Sequence, residues 1–400
     1  SEGKMKGTAV LRSHGGRVQA IQDGEVKIDI AVLVAPTADA FGNAKGTDGP
    51  SACGVLGYGV VDHLFAEKVI VVTDNLVDFP CYPMELYGNY VDYVVVVDKI
   101  GIPEKIVSGT TRITKSPDRL YIAELTAKMM LATGMLHDGC FMQAGAGGTS
   151  LAIGWYAHQI LKEKGWKCRL GFGGSTGYMV NMMEEGVMEY ILDAQAFDLD
   201  AIASIEKNPN HIQYPVFNAY NFHSKGNLTS MMDIMILGAT EVDVNFNGNV
   251  VTHSDGLLLH GIGGWQNCLH AKNVILPVPL FRDRMPVIKD EVTTITGPGS
   301  MVDVVVTERG IAVNPKRTDL IEKIKEAGLP LKTIEELKEE AEAILKRLEV
   351  SKRTLRGLAN REHGQLRIAG IPEVTGGFLP AVLSSFIKDK TNVKIALATR

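Results

Sequence analysis

The chain has 400 residues, 45% of them hydrophobic and 22% charged, with a formal net charge of −5 at pH 7. These values are typical of a globular protein and exclude the fibrous, disordered and disulfide-stapled classes. At about 150 residues per domain, the length fits two or three domains. No run of about 20 uncharged apolar residues occurs and no secretory signal is recognisable, so the sequence predicts a cytoplasmic protein without a membrane span.

Charge and cysteine usage exclude further kinds of protein. Residues 351–400 carry nine Lys and Arg residues against three acidic ones, so the rest of the chain is strongly acidic. An acidic body argues against nucleic-acid binding, and the basic end of the chain suggests a separate unit. The five cysteines form no CxxC pair and the ten histidines form no HExxH motif, so we expect a reducing compartment and no metal site.

Apolar runs rich in Val and Ile alternate with stretches of helical character along the chain. We predict strands at residues 26–34, 69–74, 93–97, 141–144, 168–172, 189–194, 233–237 and 302–306. We predict helices at about 117–135, 150–164, 178–185, 318–327 and 333–348, the last opened by a capping box of Thr333 and Glu336. Several strands are apolar on both faces, which predicts an α/β fold of largely parallel sheets with flanking helices. The polar start before residue 26 is interpreted as a connection.

Three glycine-rich loops, at residues 145–150, 171–177 and 261–266, indicate a ligand site. The first two lie between a predicted strand and a predicted helix, where glycines allow close backbone approach and helix N–H groups favour an anion. The alternative is that these glycines only form tight turns. A dinucleotide site is a further alternative, because Asp193 lies where a ribose-binding acid would, although the spacing is GxGxxxG.

Side chains with catalytic character are few. Arg17 lies beside two glycines and is suited to binding a carboxylate or phosphate, with an ordinary surface arginine as the alternative. Residues 241–247 alternate polar and apolar types, which fits either an edge strand or a polar row along a cleft. Residues 208–211 and 252–256 are interpreted as turns, and no catalytic side chain is assigned.

A set of short motifs keeps its order and spacing over about residues 1–345. The motifs are Ser13-His14-Gly15-Gly16-Arg17-Val18, Asp39-Ala40-Phe41-Gly42-Asn43-Ala44, Gly145-Ala146-Gly147-Gly148, Phe197-Asp198, Asn208-Pro209-Asn210-His211, Ser254-Asp255-Gly256, Gly263-Gly264 and Gly310-Ile311-Ala312-Val313-Asn314-Pro315. Each motif alone is weak, but the ordered set is specific. Together they resemble the α subunit family of citrate lyase, within the coenzyme A transferase superfamily.

The resemblance implies tandem coenzyme A transferase-like α/β domains, with the C-terminal part of the first at residues 1–135 and the second at 136–348. A basic appendage follows at 349–400. It implies transfer of an acyl-carrier thioester from acetate to citrate. The cofactor would be a coenzyme A-type thioester, either acetyl-CoA or a phosphoribosyl-dephospho-CoA arm on an acyl carrier. The implied partners are a lyase β subunit and an acyl carrier γ subunit in an oligomer, without nucleic acid or membrane.

The resemblance also suggests roles for individual residues. The glycines expected to approach the thioester arm or flank its cleft are Gly145, Gly147, Gly148, Gly263 and Gly264. The side chains expected to face citrate or to donate within the cleft are His14, Arg17, Asn210 and Asn247.

One departure from related coenzyme A transferases bears on mechanism. Their catalytic Glu would fall on Gly173, and no carboxylate occurs from residue 169 to residue 180. A covalent glutamyl thioester therefore cannot form there, and we expect a citrate carboxylate to attack the acetyl thioester directly, through a mixed anhydride. The alternatives are a general acyl-CoA:carboxylate transferase and a metabolite-binding protein without turnover.

The two ends depart from the family as well. Family members begin with roughly 150 more residues, which leaves an inactive fragment as a further alternative. Residues from 355 onward, through Leu366-Arg367-Ile368-Ala369-Gly370 and Gly377-Phe378-Leu379-Pro380-Ala381, resemble the start of a LysR-type effector-binding domain. This stretch is too short for the usual two-lobed effector site.

Overall fold

A computed structural model describes residues 6–7, 9–106, 111–145, 147–223, 227–282, 285–359, 364–371, 377–388 and 393–399. The helices are α1 (His14–Gln22), α2 (Gly59–Phe65), α3 (Pro117–Thr133), α4 (Gly148–Lys164), α5 (Gly177–Glu184), α6 (Leu199–Lys207), α7 (Val216–Ala219), α8 (Trp265–Cys268), α9 (Thr318–Glu326), α10 (Ile334–Ala359) and α11 (Leu379–Lys388).

The strands of the first half are β1 (Ile30–Val34), β2 (Thr37–Asp39), β3 (Ala44–Lys45), β4 (Lys68–Thr73), β5 (Leu76–Val77), β6 (Tyr93–Val96), β7 (Cys140–Ala144), β8 (Cys168–Ser175), β9 (Met188–Ala196) and β10 (His211–Gln213). Those of the second half are β11 (Ile234–Ile236), β12 (Glu241–Asp243), β13 (Gly248–Asn249), β14 (Val274–Pro277), β15 (Phe281–Arg282), β16 (Met285–Pro286), β17 (Ile288–Lys289), β18 (Val304–Thr307), β19 (Gly310–Val313), β20 (Leu331–Lys332), β21 (Gly364–Gly370) and β22 (Val393–Thr399).

A nine-stranded sheet forms the centre of the larger part of the chain, in the order β10-β9-β8-β7-β11-β14-β18-β19-β20. All neighbours pair in parallel except β18 and β19. Helices α3, α4, α5 and α9 bury their apolar side chains against it, in one core that includes Met142, Ile153 and Ile236. The two-sided burial of β11, β14 and β18 explains their nearly unbroken apolar sequences.

A smaller parallel sheet, β1-β4-β6, belongs to the N-terminal part of the chain. One face is buried under α2, through Val60 and Val71 among others. The other face leaves apolar side chains exposed, including Ile30 and Val32 on β1.

The N-terminal part repeats the topology of the second part. Strand β2 pairs antiparallel with β3 and parallel with β5, and β12 pairs in the same two ways with β13 and β17. The sets β1-β4-β6 and β11-β14-β18 also correspond in order and direction. The fold is therefore a tandem of two similar α/β units with largely parallel sheets, which confirms the predicted fold class.

The same loop follows β2 and β12. Asp39 accepts a hydrogen bond from the Asn43 side-chain amide (2.8 Å), and Asp243 accepts one from the Asn247 side-chain amide (3.0 Å). Both aspartates also accept backbone N–H groups of their own loop. We call each arrangement an Asp–Asn clamp; it turns the chain sharply between two strands of a small sheet.

Most predicted strands and helices are present within a few residues. The capping box is confirmed, with hydrogen bonds from Thr333 N to Glu336 Oε2 (2.7 Å) and from Glu336 N to Thr333 Oγ1 (3.1 Å). Two predictions were wrong. Helix α10 continues to Ala359, past the expected end at 348, because no proline interrupts it. The supposed connection before residue 26 contains helix α1, capped by Ser13.

The chain forms two compact units by contact, Ser1–Lys338 and Glu339–Arg400. In the second unit, β21 and β22 pair in parallel and a small apolar cluster joins Leu355, Leu366, Leu379 and Leu383. The predicted boundaries at residues 135 and 348 stay predictions. Within the described ranges, no helix is both long and apolar enough to cross a membrane.

Candidate functional site

The third glycine loop precedes α8. The first follows β7, and residues 171–174 of the second belong to the adjacent strand β8, which continues past its predicted end at residue 172. Gln143, near the end of β7, connects them: its side-chain amide, oriented to satisfy both neighbours, donates to the Ile236 carbonyl oxygen (3.1 Å) and accepts from Gly145 N (2.9 Å). A Cβ atom at Gly173 would lie 3.4 Å from Cγ of Gln143. The predicted first and second loops are thus neighbours, as expected for a ligand site at this edge of a sheet.

The loop before α4 has one open glycine and one packed glycine. Gly147 has a φ of +134°, and no atom lies within 4 Å of the position of its Cβ. A Cβ at Gly148 would lie 3.0 Å from Thr114 N, and Gly148 O accepts from that same N–H (3.1 Å). Gly147 therefore leaves room for a ligand, whereas Gly148 holds the chain that precedes α3.

His14 begins α1 and lies against the third loop. Its backbone N–H donates to the Gly263 carbonyl oxygen (2.9 Å), and the next N–H, that of Gly15, donates to Asn267 Oδ1 (3.2 Å). Ser13 caps the N–H groups that follow. Since the first turn is satisfied by protein groups, this helix end is not an open anion site, and the side chain of His14 is the functional group it offers.

The His14 ring lies between two equivalent turns of the repeat. Gly57 and Tyr58 precede α2, as Gly263 and Gly264 precede α8, and both first glycines have positive φ. The Tyr58 hydroxyl is 3.1 Å from Nε2 of His14. A Cβ on Gly264 would be 3.3 Å from Cδ2 of His14. The His14 ring therefore contacts the backbone of the turn at Gly264 and the side chain of the turn at Tyr58.

Two further side chains complete the surroundings of His14. The Tyr58 hydroxyl also donates to Oε1 of Gln195 (3.1 Å), which lies at the carboxyl end of β9. The Tyr220 ring lies 6.0 Å from the His14 ring and 5.4 Å from that of Phe172, so it forms an apolar wall. We call His14, Tyr58, Gln195, Gly263 and Gly264 the His14 cluster.

Burial sets the protonation states of these groups. It lowers the pKa of His14, which keeps the imidazole neutral at neutral pH. Burial, with a smaller contribution from the charge of Asp193, raises the pKa of Tyr58, so its hydroxyl keeps its proton. The cluster therefore offers neutral hydrogen-bonding groups, not charges.

Two buried carboxyl groups lie behind the cluster. Asp193 is fully buried and accepts from Ser175 N, Gln195 N and His211 Nε2. Burial raises the pKa of Glu85 to about 7, while hydrogen bonds from two backbone N–H groups oppose the shift. A separate cleft of about 730 Å³ opens beside Glu85 and His211, and no residue of the His14 cluster lines it.

The other predicted residues lie apart from the cluster. Arg17 donates to Asp62 (2.7 Å), so its charge is already paired on the surface. Asn210 occupies an exposed turn before the amino end of β10, towards the opposite end of the sheet from the glycine loops. Asn247 uses its side chain within the clamp and accepts from Gly299 N (2.8 Å). Substrate binding by these three residues stays a prediction.

The structure contradicts one alternative and adds residues that the sequence did not indicate. Asp193 cannot bind a ribose, because neighbouring protein groups surround its carboxylate. Tyr58 and Gln195 were missed, since neither lies in a recognisable motif with His14. Within the part of the chain that the structure describes, no three His, Cys, Asp or Glu residues are grouped to hold a metal ion.

Comparisons with known proteins identify the family. The citrate lyase α subunit (CitF) profile matches residues 1–362. The citrate lyase alpha chain of Klebsiella pneumoniae is 42% identical over 345 residues, covering 86% of this chain and 68% of that one. A crystal structure described as the α subunit of citrate lyase from Streptococcus mutans in complex with citrate is 44% identical, with a TM-score of 0.82, covering 86% and 68% of the two chains.

A more distant structure shares the fold alone. A 4-hydroxybutyrate CoA-transferase from Porphyromonas gingivalis has a TM-score of 0.51 at 17% identity, covering 82% of this chain and 78% of that one. The LysR-type interpretation of the C-terminal residues stays a prediction. The family profile spans most of the chain, and the two citrate lyase α subunits described above are 42% and 44% identical to it. The chain therefore belongs to the citrate lyase α subunit family.

Proposed function

We propose that this chain transfers an acyl-carrier thioester from acetate to citrate, at the edge where the His14 cluster and the glycine loops lie. Family membership supports the reaction class. The citrate in the Streptococcus mutans structure supports citrate as the substrate. The acyl group would arrive on a coenzyme A-type arm, carried by an acyl carrier γ subunit, and the product would pass to a lyase β subunit.

The observation that carries the mechanism is the backbone at Gly173. Its φ of +107° favours glycine, and both Gly174 next to it and Gly171 two residues before it lack side chains. With no carboxylate on this strand, a citrate carboxylate is the nucleophile. It attacks the acetyl carbonyl, the C–S bond breaks, and a citryl–acetyl anhydride forms with a free thiolate. The thiolate then attacks the citryl carbonyl, and acetate leaves with the bridging oxygen.

The protein then acts by positioning and by hydrogen bonding. Gly147 leaves space for the thioester arm at the start of α4. The turn of Gly263 and Gly264 brings backbone groups to the His14 side chain, where citrate would lie. One thioester is exchanged for another, so the step needs no external energy source.

Isotope transfer in a single turnover tests this mechanism. The chain is mixed with excess acetyl-CoA and citrate labelled with ¹⁸O in its carboxylates, and the first acetate released is analysed by mass spectrometry. Direct attack predicts one ¹⁸O atom in that acetate. A covalent carboxylate intermediate on the protein predicts unlabelled acetate and a protein adduct, which would favour the general transferase. Citrate binding without any exchange would favour a metabolite-binding protein.

A further inference from the structure

The Tyr58 hydroxyl has one proton and two hydrogen-bond partners. It lies 3.1 Å from Oε1 of Gln195, an acceptor, and 3.1 Å from Nε2 of His14. Because the proton goes to Gln195, the hydroxyl oxygen must accept from His14. This requires the imidazole proton on Nε2 and leaves the ring's lone pair on Nδ1.

Both partners of Tyr58 are held in place by other contacts. The Gln195 backbone N–H donates to Asp193 Oδ1 (2.9 Å), and that carboxylate is fully buried. His14 is fixed by its backbone bond to Gly263. The rings of His14 and Tyr58 meet edge to face, with centroids 4.8 Å apart. With Oε1 of Gln195 as the acceptor, the chain of hydrogen bonds runs from histidine to tyrosine to glutamine.

The repeat shows that the turn itself does not need a tyrosine. In the second copy the corresponding position before the helix is Gly264, and that turn forms without a side chain. What Tyr58 adds is its hydroxyl, and its two hydrogen-bond partners come from elements far apart in the sequence. Burial lowers the pKa of His14 and so keeps its ring neutral. In a neutral ring only one nitrogen carries a proton, and the tautomer decides which nitrogen can accept a hydrogen bond.

We propose that Tyr58 is a positioning residue that holds neutral His14 with its lone pair on Nδ1, and that this nitrogen accepts a hydrogen bond from the tertiary hydroxyl of citrate. The inference rests on the proposed function and deepens it. Propane-1,2,3-tricarboxylate has the same three carboxylates but no hydroxyl. It would leave the His14 acceptor unpaired, and a site built around a substrate hydroxyl rejects such analogues.

The test measures a ratio of affinities, which a purely structural change would not move. Calorimetry gives the dissociation constants of citrate and of propane-1,2,3-tricarboxylate for the full chain. We expect citrate to bind about tenfold more tightly. In Tyr58→Phe the tautomer is no longer fixed, so the ratio should fall at least about threefold towards one. Tyr121→Phe, which removes a half-exposed hydroxyl on α3, is the matched control and should keep the ratio.

A second variant reverses the hydrogen bonds without touching either ring. In Gln195→Leu the Tyr58 hydroxyl is free to donate to Nε2 of His14, which moves the imidazole proton to Nδ1. The ratio should fall as in Tyr58→Phe, and the ¹⁵N spectrum of histidine-labelled protein should show the change of tautomer at His14, identified by comparison with His14→Asn.

The outcomes separate this inference from the proposed function. A wild-type chain that binds neither acid overturns the proposed function and the inference with it. A wild-type chain that binds both acids equally overturns the inference alone. So does a Tyr58→Phe chain that keeps both the tenfold ratio and the wild-type histidine spectrum.

Discussion

The carbonyl oxygen of Tyr220 occupies the space where a side chain at Gly15 would begin: a Cβ atom there would lie 2.0 Å from it. Helix α1 can approach this backbone only with glycine at that position. We expect Gly15→Ala to displace α1, lower the free energy of unfolding by about 3 kcal/mol and abolish citrate binding, because His14 moves with the helix. Urea denaturation and calorimetry measure the two effects.

Gly16→Ala is the matched control for that experiment. Its Cβ would lie 3.1 Å from Oγ of Ser13 and 3.7 Å from Cβ of Arg12, and alanine favours a helix over glycine. We expect a change within about 1 kcal/mol. Equal losses in the two variants would show that close packing at residue 15 is not what holds α1.

Gly264 is the position where a single methyl group should disturb His14 without unfolding the protein. A Cβ there would lie 3.2 Å from Cζ of Tyr220 and 3.3 Å from Cδ2 of His14, slightly too close on both sides. We expect Gly264→Ala to reduce acyl exchange about tenfold, since about an ångström of misplacement is costly in catalysis, with little change in melting temperature. Gly261→Ala, where no atom lies within 4 Å of the new Cβ, should exchange normally. Identical rates in the two variants would contradict a role for this turn.

The two Asp–Asn clamps predict what Asn247 does. Each asparagine accepts one further backbone N–H: Asn43 that of Gly88 (2.9 Å), and Asn247 that of Gly299 (2.8 Å). We expect Asn43→Ala and Asn247→Ala each to destabilise the fold by about 1–3 kcal/mol, because buried polar groups lose their partners. Citrate affinity should be unchanged in both. A loss of citrate binding in Asn247→Ala alone would instead support the prediction that Asn247 donates a hydrogen bond within the substrate cleft.

Glu85 should make stability depend on pH. Burial raises its folded-state pKa to about 7, above the ordinary value of 4.5, so the folded protein keeps a proton that the unfolded chain releases. Its contribution to stability is complete below pH 4.5 and is lost as the pH rises to about 7. Between pH 5 and pH 8 we expect the free energy of unfolding of wild type to fall by about 2 kcal/mol relative to Glu85→Gln.

The comparison with Glu85→Gln isolates this carboxyl group, since the buried histidines contribute equally to both proteins. Denaturant titrations at several pH values provide the measurement. Parallel pH profiles for the two proteins would show that Glu85 titrates at its ordinary value.

The sequence predicted much of the sheet, because strands such as β11 and β18 are buried on both faces and contain little but Val, Ile and Met. It missed β14, although that strand is equally apolar. It predicted the start of α10 from a purely local signal, the capping-box spacing of Thr333 and Glu336, whose hydrogen bonds the structure contains. It did not predict α1, whose apolar residues are few and whose position depends on packing against Tyr220. Its one local signal was the cap at Ser13.

The candidate site was harder to predict for a related reason. His14, Tyr58 and Gln195 are far apart in the sequence and meet only when the two repeats are packed together. Nothing near Tyr58 in the chain distinguishes it from an ordinary surface tyrosine. The glycine pairs were found because tight backbone geometry restricts the residue type locally, whereas a hydrogen bond between distant side chains does not.

The paired clamps allow each half of this protein to serve as the reference for the other. Where the halves agree, as at Asn43 and Asn247, a residue is needed to build the unit. Tyr58 differs from its counterpart Gly264. Glu85 differs from its counterpart Thr296, although the backbone N–H of each donates to the residue that follows the clamp asparagine of its own half. Such differences between the halves mark positions at which a function can be sought, and the residues there can be exchanged between the halves one at a time.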